Sequence, residues 1–137
     1  MIDVSGPMKK ILVAAAILLS LAAGCRSGVP DGVYSLPAGE TIDISSAPDH
    51  LTLIDFVLPD NESCRFSDSI FREAAEKFRG DARFVSVDVS QHGAFADSLG
   101  VAALPAILVI RSDGQRDWHI GPMTSDELDS TIRDARD

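Results

Sequence analysis

The spacing of apolar and polar residues predicts strands first. Continuous apolar runs occur in "HLTLIDFVL", "ARFVSVDVS" and "AILVI", and each suits a strand that is buried on both faces of a sheet. The shorter alternation in "ETIDISS" predicts a half-buried strand before them. A short turn joins the last apolar run to "RDWHI", which predicts an antiparallel hairpin near the end of the chain.

A long amphipathic helix is predicted between the first two apolar runs, from about Asn61 to Arg79. Its apolar residues recur on one stripe, and Gly80 follows as a C-cap. Asp68 and Arg72 are spaced four residues apart, which predicts an exposed ion pair on the helix surface. The apolar stripe consists of Ile70, Phe71, Ala74, Ala75 and Phe78.

Two further helices complete the pattern. "GAFADSL" predicts a short helix, and the capping box from Thr124 to Glu127 begins a last one. The predicted order is therefore strand, strand, helix, strand, helix, strand, strand, helix. Such an order requires a parallel pair of strands joined by a crossover helix, followed by an antiparallel hairpin.

The N-terminal residues have the pattern of an export signal. Two lysines precede the apolar run from Ile11 to Ala23, whose 13 residues are fewer than the roughly 20 that a membrane-spanning helix needs. Small residues stand directly before Cys25 in "LAAGC", which resembles the lipobox of bacterial lipoproteins. We therefore expect residues 1–24 to be a signal peptide of the lipoprotein type and Cys25 to carry the lipid. The alternative is an ordinary secretory signal followed by a coincidental cysteine.

Composition bounds the rest of the chain. Residues 25–40 are rich in Gly, Pro and Ser and predict a flexible tether, which leaves residues 41–137 as one domain. We expect a monomer that is anchored in the bacterial cell envelope and faces the periplasm or the exterior.

The net charge of -9 repels phosphate backbones and argues against nucleic-acid binding. The three histidines lie in separate elements, so no metal site is expected. The sequence has no phosphate loop and no nucleotide fingerprint, and no cofactor is expected.

The order of elements, and the residues at its corners, resemble the thioredoxin family from about residue 41 to 132. "LIDF" resembles the strand that leads into the family's active site and carries Asp55 at the position of its buried acid. "NESC" stands where the family has Cys-Gly-Pro-Cys, and "GVAALPAILVI" resembles the segment with its cis-proline, here Pro105. The resemblance implies an α/β, thioredoxin-like fold with a mixed four- to five-stranded sheet flanked by helices.

The same resemblance implies that one of the family's two cysteine positions has changed. Asn61 stands in place of the attacking cysteine, so dithiol exchange would be lost, because an amide cannot attack a disulfide. Cys64 corresponds to the resolving thiol, which points inward in the family. From the residues alone, Asn61 is also a favourable helix N-cap, and Cys64 can serve as a small buried apolar residue. A rival alignment reads "CRFS" as Cys-x-x-Ser and puts Cys64 at the attacking position, at the cost of two compensating gaps.

The sequence is compatible with three functions. The first is a lipid-anchored protein that lacks dithiol oxidoreductase activity and binds a polypeptide or thiol-bearing partner in a groove beside Asn61, Leu104 and Pro105. The second is an enzyme of monothiol thiol–disulfide exchange, with Cys64 as nucleophile and Asp55 as supporting acid. The third is a purely structural subunit of the envelope. Whether the protein is an enzyme is therefore undecided from the sequence.

Overall fold

A computed structural model describes residues 32–136, and five strands in this range form one mixed sheet. The order across the sheet is β1-β3-β2-β4-β5. Strands β1 and β2 both run parallel to β3, whereas β4 is antiparallel to β2 and β5 is antiparallel to β4. The predicted parallel pair and the predicted hairpin are both confirmed. The strands are β1 (Val33–Ser35), β2 (Thr52–Val57), β3 (Arg83–Asp88), β4 (Ala106–Ile110) and β5 (Arg116–Ile120).

Three helices cover the two faces of this sheet unequally. Helices α1 (Glu62–Lys77) and α3 (Ser125–Arg136) pack on one face, where their apolar stripes meet strand residues such as Leu53 and Phe84. The other face is covered by the short helix α2 (Gly93–Ser98) and by the irregular segment between β1 and β2. Both faces of β2 are consequently buried, as its apolar run predicted.

The prediction of the first strand was wrong in position. "ETIDISS" forms no strand; its Ile42 and Ile44 pack, partly buried, against the second face of the sheet. The alternation thus reflected burial of every second side chain without backbone pairing to a neighbour. The first strand is instead Val33–Ser35, which pairs with β3 and is followed by the buried Leu36.

This strand also shortens the predicted tether. The tether was expected to reach residue 40, but the sheet already begins at Val33, and the backbone N–H of Leu36 donates to the carbonyl of Ser86 at 3.0 Å. The predicted signal peptide, and Cys25 with its predicted lipid, lie outside the described residues. Between residues 32 and 136, no helix has the length and apolar character needed to span a membrane.

Candidate functional site

The corner between β2 and α1 is organised by Asn61. Its backbone is extended, and its side-chain oxygen Oδ1 accepts a hydrogen bond from the backbone N–H of Cys64 at 3.0 Å. The first N–H groups of a helix have no partner within the helix, and an asparagine oxygen satisfies one of them. The predicted N-cap is therefore confirmed. The amide of Asn61 is exposed at the helix tip, and its oxygen is already engaged in holding the helix start.

Cys64 lies three residues further on and faces inward. It is the third residue of α1, and only 1% of its surface is exposed. It lines a pocket of about 420 Å³ between α1 and the parallel part of the sheet. The rival alignment needs a thiol at the exposed tip of the helix, whereas the structure places an amide there. We call this cavity the Cys64 pocket; its walls include Leu36, Val57, Pro59, Cys64, Arg65, Asp68, Arg72, Ser86 and Asp88.

Asp55 lies on β2, on the same face of the sheet as α1. It is completely buried, and neither of its carboxyl oxygens has a hydrogen-bond partner among the described residues. Burial, and secondly the negative charge of Asp68 in α1, raise the pKa of Asp55 from 3.8 to about 8. Asp55 is consequently a neutral carboxylic acid at neutral pH.

A second cavity joins Asn61 to the segment before β4. It has a volume of about 430 Å³ and brings Asn61 opposite Leu104, which precedes the cis peptide bond to Pro105. Pro105 itself is buried behind this surface, where its carbonyl accepts a hydrogen bond from the backbone N–H of Gly121 at 2.8 Å. We call this cavity the Asn61 groove; its walls are Asn61, Val89, Gly93, Ala96, Asp97, Val101, Ala102, Ala103 and Leu104.

The residues singled out from the sequence therefore fall into two places. The Asn61 groove contains Asn61 and Leu104, with Pro105 directly behind them. Cys64 belongs to the other cavity, on the side of α1 that also holds Asp55. Asn61 thus lines the groove, while the thiol of Cys64 lines the other cavity and is almost completely buried.

Sequence reasoning underestimated Asp68 and Arg72. The predicted ion pair is present, with 2.8 Å between Nε of Arg72 and Oδ2 of Asp68. The side chain of Asp68 is nevertheless only 26% exposed, and its other oxygen, Oδ1, is buried without a donor among the described residues. The spacing of four residues from Cys64 to Asp68 was the available signal, because it places both on one face of the helix.

The parallel pair joined by a helix, the cis-proline at the start of an antiparallel strand and the capped helix after β2 together define a thioredoxin fold. The thioredoxin family model matches residues 41–134. The chain belongs to the thioredoxin family.

Curated relatives of this chain are themselves thioredoxins. Thioredoxin of Borreliella burgdorferi is 28% identical over 86 residues, which are 63% of this chain and 74% of that protein. Thioredoxin H-type of Oryza sativa subsp. indica is 35% identical over 82 residues, or 60% of this chain and 66% of that protein.

Solved structures show the same architecture at lower identity. A mutant thioredoxin from Halobacterium salinarum superposes with a TM-score of 0.69 at 21% identity and covers 80% of this chain and 96% of that one. Chloroplastic thioredoxin z gives a TM-score of 0.68 at 19% identity over 78% of this chain and 96% of that one. At these identities the likeness concerns the fold alone.

Proposed function

We propose that this chain is a thioredoxin-fold binding protein without dithiol–disulfide exchange, and that it binds an extended polypeptide segment in the Asn61 groove. One observation carries the proposal: the helix tip presents an amide, while Cys64 is 1% exposed behind it. Disulfide exchange begins with an accessible thiolate, and no such thiolate stands at this tip.

The lining of the Asn61 groove supports a polypeptide as the ligand. Small and apolar side chains form much of its wall and leave space for an apolar side chain of a partner. Leu104 lies two residues before β4, at a position where an extended peptide can pair with the backbone by strand addition. Asp97 at the groove, and the net charge of -9, favour a segment that is neutral or basic.

Peptide selection tests the binding part of this proposal. A library of extended peptides displayed on phage is panned against the purified full-length chain, and the enriched peptides are then measured against two variants. Ala103→Trp fills the groove, and we expect it to weaken binding by about tenfold or more, since about 1.4 kcal/mol corresponds to a factor of ten. Ala94→Trp adds the same ring on α2 outside the groove and should leave binding unchanged. Equal binding by both variants would exclude the groove.

An activity assay tests the other part. With dithiothreitol as electron source, the protein should reduce insulin no faster than dithiothreitol does alone, because no pair of thiols is available at the helix tip. A dithiol thioredoxin measured in parallel provides the positive control. Turnover comparable to that control would overturn the proposal.

A second candidate function is monothiol exchange, which is favoured by the cavity that Cys64 lines. In this reaction the Cys64 thiolate attacks a small disulfide, forms a mixed disulfide and releases the other half as a thiolate. The buried acid Asp55 would support the proton transfer. Incubation with glutathione disulfide, followed by peptide mass spectrometry at Cys64, distinguishes the two functions: modification of the native protein within minutes supports the enzyme.

The proposal includes the site of action in the bacterial cell envelope, with a lipid on Cys25 as the anchor. The pattern "LAAGC" supports this part. Expression in a bacterial host with radiolabelled palmitate tests it, since Cys25→Ser should abolish incorporation of the label into the protein. Cys64→Ser serves as the matched control and should leave the incorporation unchanged.

A further inference from the structure

The carboxyl groups of Asp55 on β2 and Asp68 on α1 are buried with too few hydrogen-bond donors. Both carboxyl oxygens of Asp55, and Oδ1 of Asp68, are inaccessible and have no donor among the described residues. Burying a carboxylate without a hydrogen bond is costly, so such a group either pairs or takes up a proton. The negative charge of Asp68 raises the pKa of Asp55, and a side-chain hydrogen bond from Asp55 to Asp68 would act in the same direction. Two ionised carboxylates have no proton for such a bond.

Helix α1 holds Asp68 in position for such a pairing. Cys64, Asp68 and Arg72 follow one another at intervals of four residues and so lie on one stripe of the helix. Arg72 donates to Oδ2 of Asp68 at 2.8 Å, which leaves Oδ1 as the oxygen without a donor. One proton on Asp55, donated to Oδ1 of Asp68, would give each carboxyl group a hydrogen bond and leave only the second oxygen of Asp55 without a donor, while Arg72 balances the remaining negative charge.

The other elements around Asp55 provide no alternative cation among the described residues. Strand β3 places Ser86 beside Asp55 and contributes Asp88 to the rim of the Cys64 pocket. Strand β4 places Ile107 opposite Asp55 and carries no charge. From α1, Asp68 and Arg72 act on Asp55 in opposite directions: Asp68 raises its pKa and Arg72 lowers it.

We propose that Asp55 and Asp68 hold a single proton between them, and that its loss at alkaline pH loosens helix α1 over strand β2 and exposes Cys64. Two negative charges would then face each other in the core, and only one of them would have a partner. The pair is thus a pH-sensitive device that is independent of whether the Asn61 groove binds a polypeptide.

Stability measured against pH tests the pair. The pKa of Asp55 is raised in the folded chain, so folding takes up a proton at every pH between about 4 and about 8. Relative to Asp55→Asn, which mimics the neutral acid, the folding equilibrium constant of the wild type should fall roughly tenfold per pH unit in this window. Above about pH 8 the ratio should become constant. Urea denaturation of the full-length chains from pH 5.5 to 9.5 gives this curve.

The pH at which the curve becomes constant, called the break below, distinguishes a shared proton from the effect of burying Asp55 alone. Asp68→Asn removes the acceptor and the repelling charge, so the break should move to lower pH by about one unit or more. Glu73→Gln removes an exposed acid from the same helix and should leave the break in place. A break that does not move in Asp68→Asn, or that moves equally in Glu73→Gln, overturns the pair. A curve with no fall between pH 5.5 and 8 overturns it as well.

Thiol labelling provides a readout on the wild type alone, in case Asp55→Asn fails to fold. The labelling rate of Cys64 is followed by peptide mass spectrometry, which separates it from Cys25, and is divided by the rate of the urea-unfolded chain at each pH. This ratio should rise about tenfold or more from pH 7 to 9. A ratio that stays constant contradicts the proposed exposure of Cys64, whatever the groove binds.

Discussion

The Asn61 groove and the Cys64 pocket are lined by two residues that are only three positions apart in sequence, yet the two cavities differ in exposure, lining and polarity. The groove is open and lined by small side chains, and its polar amide is exposed and engaged as a helix cap. The Cys64 pocket is lined by a buried thiol and by Asp68, whose side chain is only 26% exposed. The two cavities differ because Asn61 is exposed at the N-cap, whereas Cys64, three residues further on, is buried against the sheet. The helix tip therefore presents an amide to the groove, while the thiol of Cys64 lines the other cavity.

The largest expected effect comes from placing a thiol back at the tip. Asn61→Cys should form a reducible disulfide with Cys64 under mild oxidation, since the two positions meet across the helix start. A cysteine at a helix N-terminus has a lowered pKa and becomes nucleophilic, so insulin reduction should rise well above the background of dithiothreitol. Mass spectrometry with and without reductant, followed by the insulin assay, measures both effects.

Glu62→Cys provides the matched control for that gain. It adds an exposed thiol one residue further along the same helix start, but residues two apart on a helix do not face each other. It should form no disulfide with Cys64. If Glu62→Cys forms the bridge and Asn61→Cys does not, the position assigned to Asn61 is wrong.

A smaller effect tests whether Cys64 acts as a buried apolar residue. Cys64→Ser places a hydroxyl group in a site that is 1% exposed and should lower the free energy of unfolding by about 1–3 kcal/mol. Cys64→Ala should cost about 1 kcal/mol, because it removes one heavy atom without adding a polar group. Urea denaturation at neutral pH ranks the three proteins. Equal stability of all three would indicate that the thiol is exposed to water.

The smallest effect concerns the cap itself. Asn61→Ala should lower the free energy of unfolding by about 1 kcal/mol, since the N–H of Cys64 loses its acceptor. Asn61→Ser retains an acceptor and should cost only a few tenths of that amount. Thr124→Ala removes the corresponding cap of α3 and offers an internal reference for the size of the loss. An Asn61→Ala protein as stable as wild type would remove the structural role of the amide and leave only a role in binding.

The sequence predicts the regular part of this fold well. The long helix after β2, the hairpin and the last helix follow from local spacing, because their apolar residues repeat with one period over many residues. The first strand could not be found in this way. Its three residues lie in a segment rich in Gly and Pro, and its pairing with β3 depends on a contact about 50 residues away along the chain.

The site illustrates the same limit. Asn61 was identified as a cap from its residue type and from its place before a helix, which are both local features. Asp68 was read as half of a surface ion pair, which is correct for one of its oxygens. That the other oxygen is buried, and that the charge of Asp68 raises the pKa of Asp55, depends on how α1 packs on β2, which no spacing within the helix reports.

The accessibility of Cys64 at neutral pH tests the central claim most directly. The native full-length protein is treated with a thiol probe at pH 7, and labelling of Cys64 is followed by peptide mass spectrometry beside that of the urea-unfolded chain. We predict that native Cys64 reacts only as fast as the chain opens, and thus orders of magnitude more slowly than the unfolded form. Labelling of the native protein at a rate close to that of the unfolded chain would contradict the buried thiol and, with it, the loss of exchange chemistry.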